Sequence, residues 1–192
     1  MLDKIIWYLK ANLIYRFRFK EIGSFSYIGK PVHIYGGKGV YIGKKVRIFP
    51  GLRIETHNGG RILIDNNVSI GQNFHIVSSN EELVIGSNST ISGNVLITNI
   101  DHSYSEIGTH ILQQNHIIKT TIIGDNCFIG YGAVIQAGTT LGNQCIIGSN
   151  SVVRGVFPNY CVIVGAPAII VKRYNSVKKL WEKTDSKGNF IT

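Results

Sequence analysis

Alanine and leucine are scarce in this chain beside its isoleucine, valine and 22 glycines, which argues against a helical domain and for short strands with tight turns. Cysteine is held to three, Cys127, Cys145 and Cys161, with no metal-ligand spacing. No stretch approaches the roughly 20 apolar residues needed to span a bilayer. The N-terminus lacks both a continuous apolar core and a small-residue cleavage site, so no secretory leader is expected. The expectation is a cytoplasmic protein with reduced cysteines, peripheral on the inner face of the membrane if its N-terminus binds lipid.

Acidic residues are also few, 11 against 20 basic ones, for a net charge of +9. The cations gather at the ends. Lys4, Lys10, Arg16, Arg18 and Lys20 open the chain, and Lys172, Arg173, Lys178, Lys179 and Lys183 close it. No aromatic-basic motif accompanies them, so a nucleic-acid partner is not expected. A phosphorylated cofactor and an anionic membrane surface explain the two ends better.

What the chain does have is a six-residue beat. From Ile123 it reads Ile-Gly-Asp-Asn-Cys-Phe, Ile-Gly-Tyr-Gly-Ala-Val, Ile-Gln-Ala-Gly-Thr-Thr, Leu-Gly-Asn-Gln-Cys-Ile, Ile-Gly-Ser-Asn-Ser-Val. Earlier units open at Ile28-Gly29, Ile42-Gly43, Ile64-Asp65, Ile70-Gly71, Ile85-Gly86 and Ile91-Ser92. Neither a strand period of two nor a helix period yields this spacing. One unit cannot bury its apolar face alone, so the units must stack. Gly-Asn, Gly-Asp and Asn-Gly pairs supply corners that need positive φ.

These residues, followed by Gly165-Ala166-Pro167-Ala168, resemble the hexapeptide-repeat acyltransferases over roughly residues 28–172. The resemblance implies an all-β fold, a left-handed parallel β-helix with three hexapeptides per coil. It places Cys127 and Cys145 on successive rungs, facing the interior. The expected division is an N-terminal amphipathic helix over 1–22, a β-helix over 23–172 with an excursion over 98–121, and a tail with a short C-terminal helix over 173–192.

Between Ile97 and Ile123 the beat fails. Long loops on a rigid scaffold are where function concentrates. The resemblance makes His102, at the root of this excursion, the general base that deprotonates a sugar hydroxyl attacking acetyl-coenzyme A. Asp101 or Glu106 could orient its ring, as could a backbone carbonyl. The oxyanion donor implied by the resemblance is the backbone N–H of Tyr131. The cofactor track implied is Tyr131, Gly132, Ser149 and Asn150, with Arg154, Lys172 and Arg173 toward the phosphates. Two expected basic positions fall on Gly155 and Ile169 instead. His75 and Asn73 are candidate acceptor contacts. His110 and His116 read as polar loop residues, and His33 and His57 as coil-surface residues.

Residues 2–20 read as a helix, with Leu2, Ile5, Ile6, Leu9, Leu13, Ile14 and Phe17 at three- and four-residue spacing. Packing on the β-helix or a neighbouring subunit competes with contact to an anionic membrane. A second short helix is expected over 175–184. The leading function is an acetyl-CoA-dependent sugar O-acetyltransferase, acting on a surface polysaccharide such as O-antigen or capsule, or its precursor. The resemblance also implies a homotrimer. An N-acetyltransferase of a nucleotide-linked amino sugar and a non-enzymatic scaffold are the alternatives. No metal is expected, since the excursion histidines lack the close pair of a zinc site.

Overall fold

Short strands stack coil upon coil into three parallel sheets. The computed structural model describes residues 2–191. Sheet A runs from Glu21–Ile22 to Val156–Phe157, sheet B starts at Tyr27–Ile28, and sheet C runs from His33–Tyr35 to Val152–Val153. The chain visits A, B and C in turn and then returns to A one rung on, which makes a parallel β-helix.

The six-residue beat sets the register. Ile42, Ile64, Ile85, Ile123 and Leu141 pair in sequence along sheet A, and all are buried. Each such side chain contributes about 1.5–3 kcal/mol by leaving water. Cys127, Cys145 and Cys161 likewise lie inside, directly before or at the start of paired strands of sheet B. The corners use left-handed residues: Asn67, Asn88 and Asn126 have φ of 58°, 61° and 56°. Asparagine tolerates this conformation because its side chain bonds locally. Here Asn67 Nδ2 also donates to Asn88 Oδ1 at 2.9 Å, tying one rung to the next.

At the N-terminus, helix α1 spans Leu2–Leu13 and gives way to a 3-10 turn over Tyr15–Phe17, so it is shorter than the periodicity suggests. It docks on sheet B through Ala11, which is fully buried, and Trp7, whose ring lies 6.0 Å from Tyr27 and 5.9 Å from Phe49. The stripe Leu2, Ile5, Leu9 and Leu13 points away and is 71, 52, 49 and 67% exposed.

The expected C-terminal helix over 175–184 does not form. Strand Ala168–Asn175 instead folds back antiparallel on Cys161–Gly165 and pairs with Leu180–Lys183. Asn175 is the reason: its Oδ1 accepts from the N–H groups of Val177 at 3.0 Å and Lys178 at 3.1 Å, which closes a turn where a helix would start. Trp181 then lies opposite Tyr174, ring centroids 5.7 Å apart. The hairpin extends sheet B past the last coil and covers its edge.

The excursion leaves the corner between sheets C and A as an antiparallel ribbon. Ile100–His102 pairs with His116–Ile118, placing His102 opposite His116. Its exit is fixed by Asn99, fully buried, whose side chain accepts from Ser79 N–H at 2.9 Å and donates to Ser79 C=O at 3.1 Å. The tip is held by Gln114, which donates to the carbonyls of Glu106 at 3.2 Å and Thr109 at 3.0 Å.

Candidate active site

Between the outer face of sheet C and the ribbon lies a cavity of about 430 Å³. Strand alternation builds its floor. His75 and Val77 point out where Ile76 and Ser78 point in, and one rung on Leu96 and Thr98 do the same around Ile97. His102 and His116 close one side, and His57 with Asn58 closes another. The rings of His102 and His116 meet edge to face, centroids 4.7 Å apart at 84°.

Sequence reasoning placed His57 on the coil surface and passed over Glu55; the structure puts His57 on the cavity wall there, with Glu55 behind it. Glu55 is 8% exposed on strand Arg53–His57. Its carboxylate accepts from Arg53 Nε at 2.5 Å and bonds His57 Nε2 at 3.0 Å. Burial pushes its pKa up, but the hydrogen bonds of Arg53 and His57 outweigh this and hold the carboxyl below its ordinary value. Tyr35 stacks on a face of the His57 ring, centroids 4.8 Å apart at 25°. A signal was present in the sequence. The run Arg53–His57 with Asn58-Gly59-Gly60 exceeds one hexapeptide, and its strand, like the next one over His75–Ser79, is five residues long where those of the last two coils have two.

His75 pairs in register with Arg53 and Leu96. Its Nε2 is buried and has no hydrogen-bond partner among the described residues. Burial, reinforced by the Arg53 guanidinium, pushes its imidazole below the usual value, so the ring is neutral at pH 7. Asn73 is at a corner instead, with φ 55° and its side chain against Gly51, where a Cβ would come within 2.2 Å of Asn73 Oδ1.

The two carboxylates considered for orienting His102 have other settings. Asp101 forms an ion pair with Arg154, which reaches back across two rungs from the end of strand Val152–Val153. Glu106 lies exposed in the ribbon tip, its backbone held by Gln114. Arg154 therefore reaches the root of the ribbon. Arg173 faces the C-terminal tail, donating to the Gly188 carbonyl at 3.1 Å and lying 5.9 Å from the Phe190 ring centroid. Lys172 is exposed on the same strand.

Tyr131, Gly132, Ser149 and Asn150 do come together, on the corner between sheets B and C. Asn150 N–H donates to the Tyr131 carbonyl at 2.8 Å, and Gly132 has φ 72°. A Cβ on Gly132 would lie 2.3 Å from Asn150 Oδ1, so glycine is required there. Tyr131 Oη bonds Asn94 one rung back. This edge and the ribbon's root are opposite sides of sheet C. At no more than about 3.3 Å per residue, Tyr131 is at most roughly 16 Å from the far corner at Gln136.

The model of bacterial transferase hexapeptide (six repeats) matches residues 106–155. WbbJ of Escherichia coli (strain K12), which carries the name of a lipopolysaccharide biosynthesis O-acetyl transferase, is 34% identical over 140 residues, covering 69% of this chain and 71% of WbbJ. The chain belongs to the hexapeptide-repeat acyltransferases. It is accordingly an acyl-transferring enzyme. The galactoside O-acetyltransferase of the same E. coli strain is 29% identical, covering 64% of this chain and 62% of the relative. Among solved structures, the N-acyltransferase AntD from Bacillus cereus, in complex with dTDP and 3-hydroxybutyryl-CoA, shares the fold with a TM-score of 0.73 at 17% identity, covering 87% of this chain and 89% of AntD. Among the described residues no group of three or more His, Cys, Asp or Glu is arranged to hold a metal ion.

Proposed function

We propose that this hexapeptide-repeat acyltransferase is an O-acetyltransferase that moves the acetyl group of acetyl-CoA to a sugar hydroxyl, with His102 as general base. The observation that carries this is the placement of His102 on a cavity of monosaccharide scale, walled by imidazoles over an apolar floor of Val77, Leu96 and Ile100. A neutral His102 takes the hydroxyl proton as the oxygen attacks the thioester carbonyl. The tetrahedral oxyanion needs a fixed donor, for which the Tyr131 N–H is the candidate. Collapse of the intermediate expels the coenzyme A thiolate, which takes the proton back from His102. The buried cysteines have no part in this direct transfer.

The opposite positions of the ribbon and the Tyr131 corner support a site shared between chains. One chain would bring His102, and its neighbour the track of Tyr131, Gly132, Ser149 and Asn150, in a homotrimer. Similarity to WbbJ supports a lipopolysaccharide or related surface polysaccharide as the acceptor. The exposed Leu2, Ile5, Leu9 and Leu13 stripe of α1, flanked by Lys4 and Lys10, supports contact with an anionic lipid surface. No helix among the described residues is long and apolar enough to cross a membrane.

The fold likeness to AntD favours one second reading, acylation of an amino group on a nucleotide-linked sugar. Calorimetric titration of the protein with acetyl-CoA tests the shared premise. Saturable binding at one site per chain is expected. An absence of binding at millimolar donor would contradict both readings and leave a scaffold.

A further inference from the structure

Resting on the sugar O-acetylation reading above, we propose that Glu55 and His57 form an acceptor-binding pair which, with His75, reads a second hydroxyl-bearing edge of an uncharged sugar unit across the cavity from His102. Four imidazoles line this space, and acid–base chemistry on one hydroxyl calls for one. His57 is held on two sides, by Glu55 at Nε2 and by the Tyr35 ring on its face. A surface histidine has no need of a buried carboxylate behind it. Burying Glu55 is costly, and the cost is offset only because Arg53 and His57 satisfy it. The result is an imidazole fixed in plane and rotation at the cavity wall.

The chemistry of the walls names the ligand class. With Nε2–H donated to Glu55, the tautomer of His57 that leaves Nδ1 bare offers an acceptor for an O–H group. His75, kept neutral by burial and Arg53, offers a buried Nε2 with no partner among the described residues. A neutral imidazole nitrogen bonds a hydroxyl as donor or as acceptor, so the two rings can read two hydroxyls. Val77, Leu96 and Ile100 supply a surface for the C–H face of a pyranose. No lysine or arginine is among the cavity's lining residues, and the guanidinium beside His75, that of Arg53, is already paired with Glu55, which disfavours a phosphate or carboxylate.

Glu55 is a positioning residue, because it acts through His57. That separates it from a structural carboxylate. If it works only through His57, losing both side chains costs sugar affinity no more than losing His57.

The experiment uses the full chain loaded with coenzyme A and titrated with the methyl glycosides of galactose, glucose and mannose. Binding is followed by the imidazole nitrogen resonances in NMR. The resonances of His57 and His75 are expected to shift for at least one glycoside, while those of His33 and His110 stay fixed. His57→Ala should weaken that glycoside about tenfold, the worth of one hydrogen bond. Glu55→Ala should match it, the double variant should be no weaker, and Glu55→Gln, which keeps an acceptor oxygen, should recover part of the loss. Should His57→Ala fail to fold, His57→Gln carries the same comparison. Unmoved His57 and His75 resonances with all three glycosides would overturn the proposal, as would equal affinity in the folded His57 variants and wild type. Sugar binding at these histidines without acetyl transfer from acetyl-CoA would refute the O-acetylation reading and leave the binding pair standing.

Discussion

His102 and His116 face each other across the ribbon, paired in register, with imidazole centroids 4.7 Å apart and planes at 84°. Edge-to-face contact of this kind contributes about 0.5–1.5 kcal/mol and fixes ring orientation. His116→Ala should therefore lower kcat about tenfold at most and leave the KM for acetyl-CoA unchanged. Steady-state thiol release checks this. A loss as large as that of His102→Ala would give His116 a direct part in the proton transfer.

The pair Asp101–Arg154 joins residues 53 apart in sequence and ties the ribbon's root to a coil two rungs away. If Arg154 serves as that anchor, Arg154→Ala and Asp101→Ala should lower kcat similarly, and the double variant should lose no more than either alone. The Kd for acetyl-CoA should hold. A selective rise in that Kd for Arg154→Ala, with Asp101→Ala unaffected, would return Arg154 to the cofactor phosphates.

Asn99 makes its hydrogen bonds in a fully buried site at the ribbon's exit. Asn99→Leu strands the Ser79 backbone N–H and C=O and should cost about 1–3 kcal/mol. Urea unfolding measures it. No change in midpoint would mean that water or a shifted backbone replaces the asparagine.

Glu55 links stability to pH. Its folded pKa lies below its ordinary value of 4.5, so its stabilising contribution is fully present above that value and is lost as pH falls through the folded pKa. His75 acts in the same sense higher up. Its folded pKa is depressed below 6.5, so stability declines as pH drops from that value toward the folded one, where the unfolded chain binds the proton more readily. Thermal melts from pH 7 to pH 3 should show both declines in the wild type. His75→Gln should flatten the first and Glu55→Gln the second. Unchanged profiles in both variants would contradict the assigned shifts.

The α1 stripe gives a prediction that leaves catalysis untouched. Ile5→Glu with Leu9→Glu should abolish flotation with vesicles containing phosphatidylglycerol, while acetyl transfer to a soluble glycoside continues. Loss of the oligomer with no change in flotation would assign the stripe to a neighbouring chain instead.

The β-helix was legible because its period is local. Each Ile at the head of a hexapeptide, such as Ile123 or Ile147, predicts its own burial without knowledge of any distant residue. The ribbon was legible because it marks where that beat stops, and the family resemblance singled out His102 at its root. The contacts of Glu55, His57 and Arg154 were not legible. Rung register sets Arg53 beside His75 and Arg154 beside Asp101, about 20 and 50 positions apart, and the insertions at Asn58–Gly60 and in the ribbon shift that count. The C-terminal helix was misread because the spacing of Leu180 and Trp181 fits a short helix as well as a strand. The Asn175 turn and the free edge of sheet B decided it.

The central measurement is acetyl transfer from acetyl-CoA to a methyl glycoside, followed by mass spectrometry for wild type and His102→Ala in preparations of matched acetyl-CoA affinity. An acetylated glycoside is expected from the wild type, with the variant slower by at least about a hundredfold, the usual worth of a general base. Equal rates in the two proteins would remove His102 from the chemistry and contradict the mechanism.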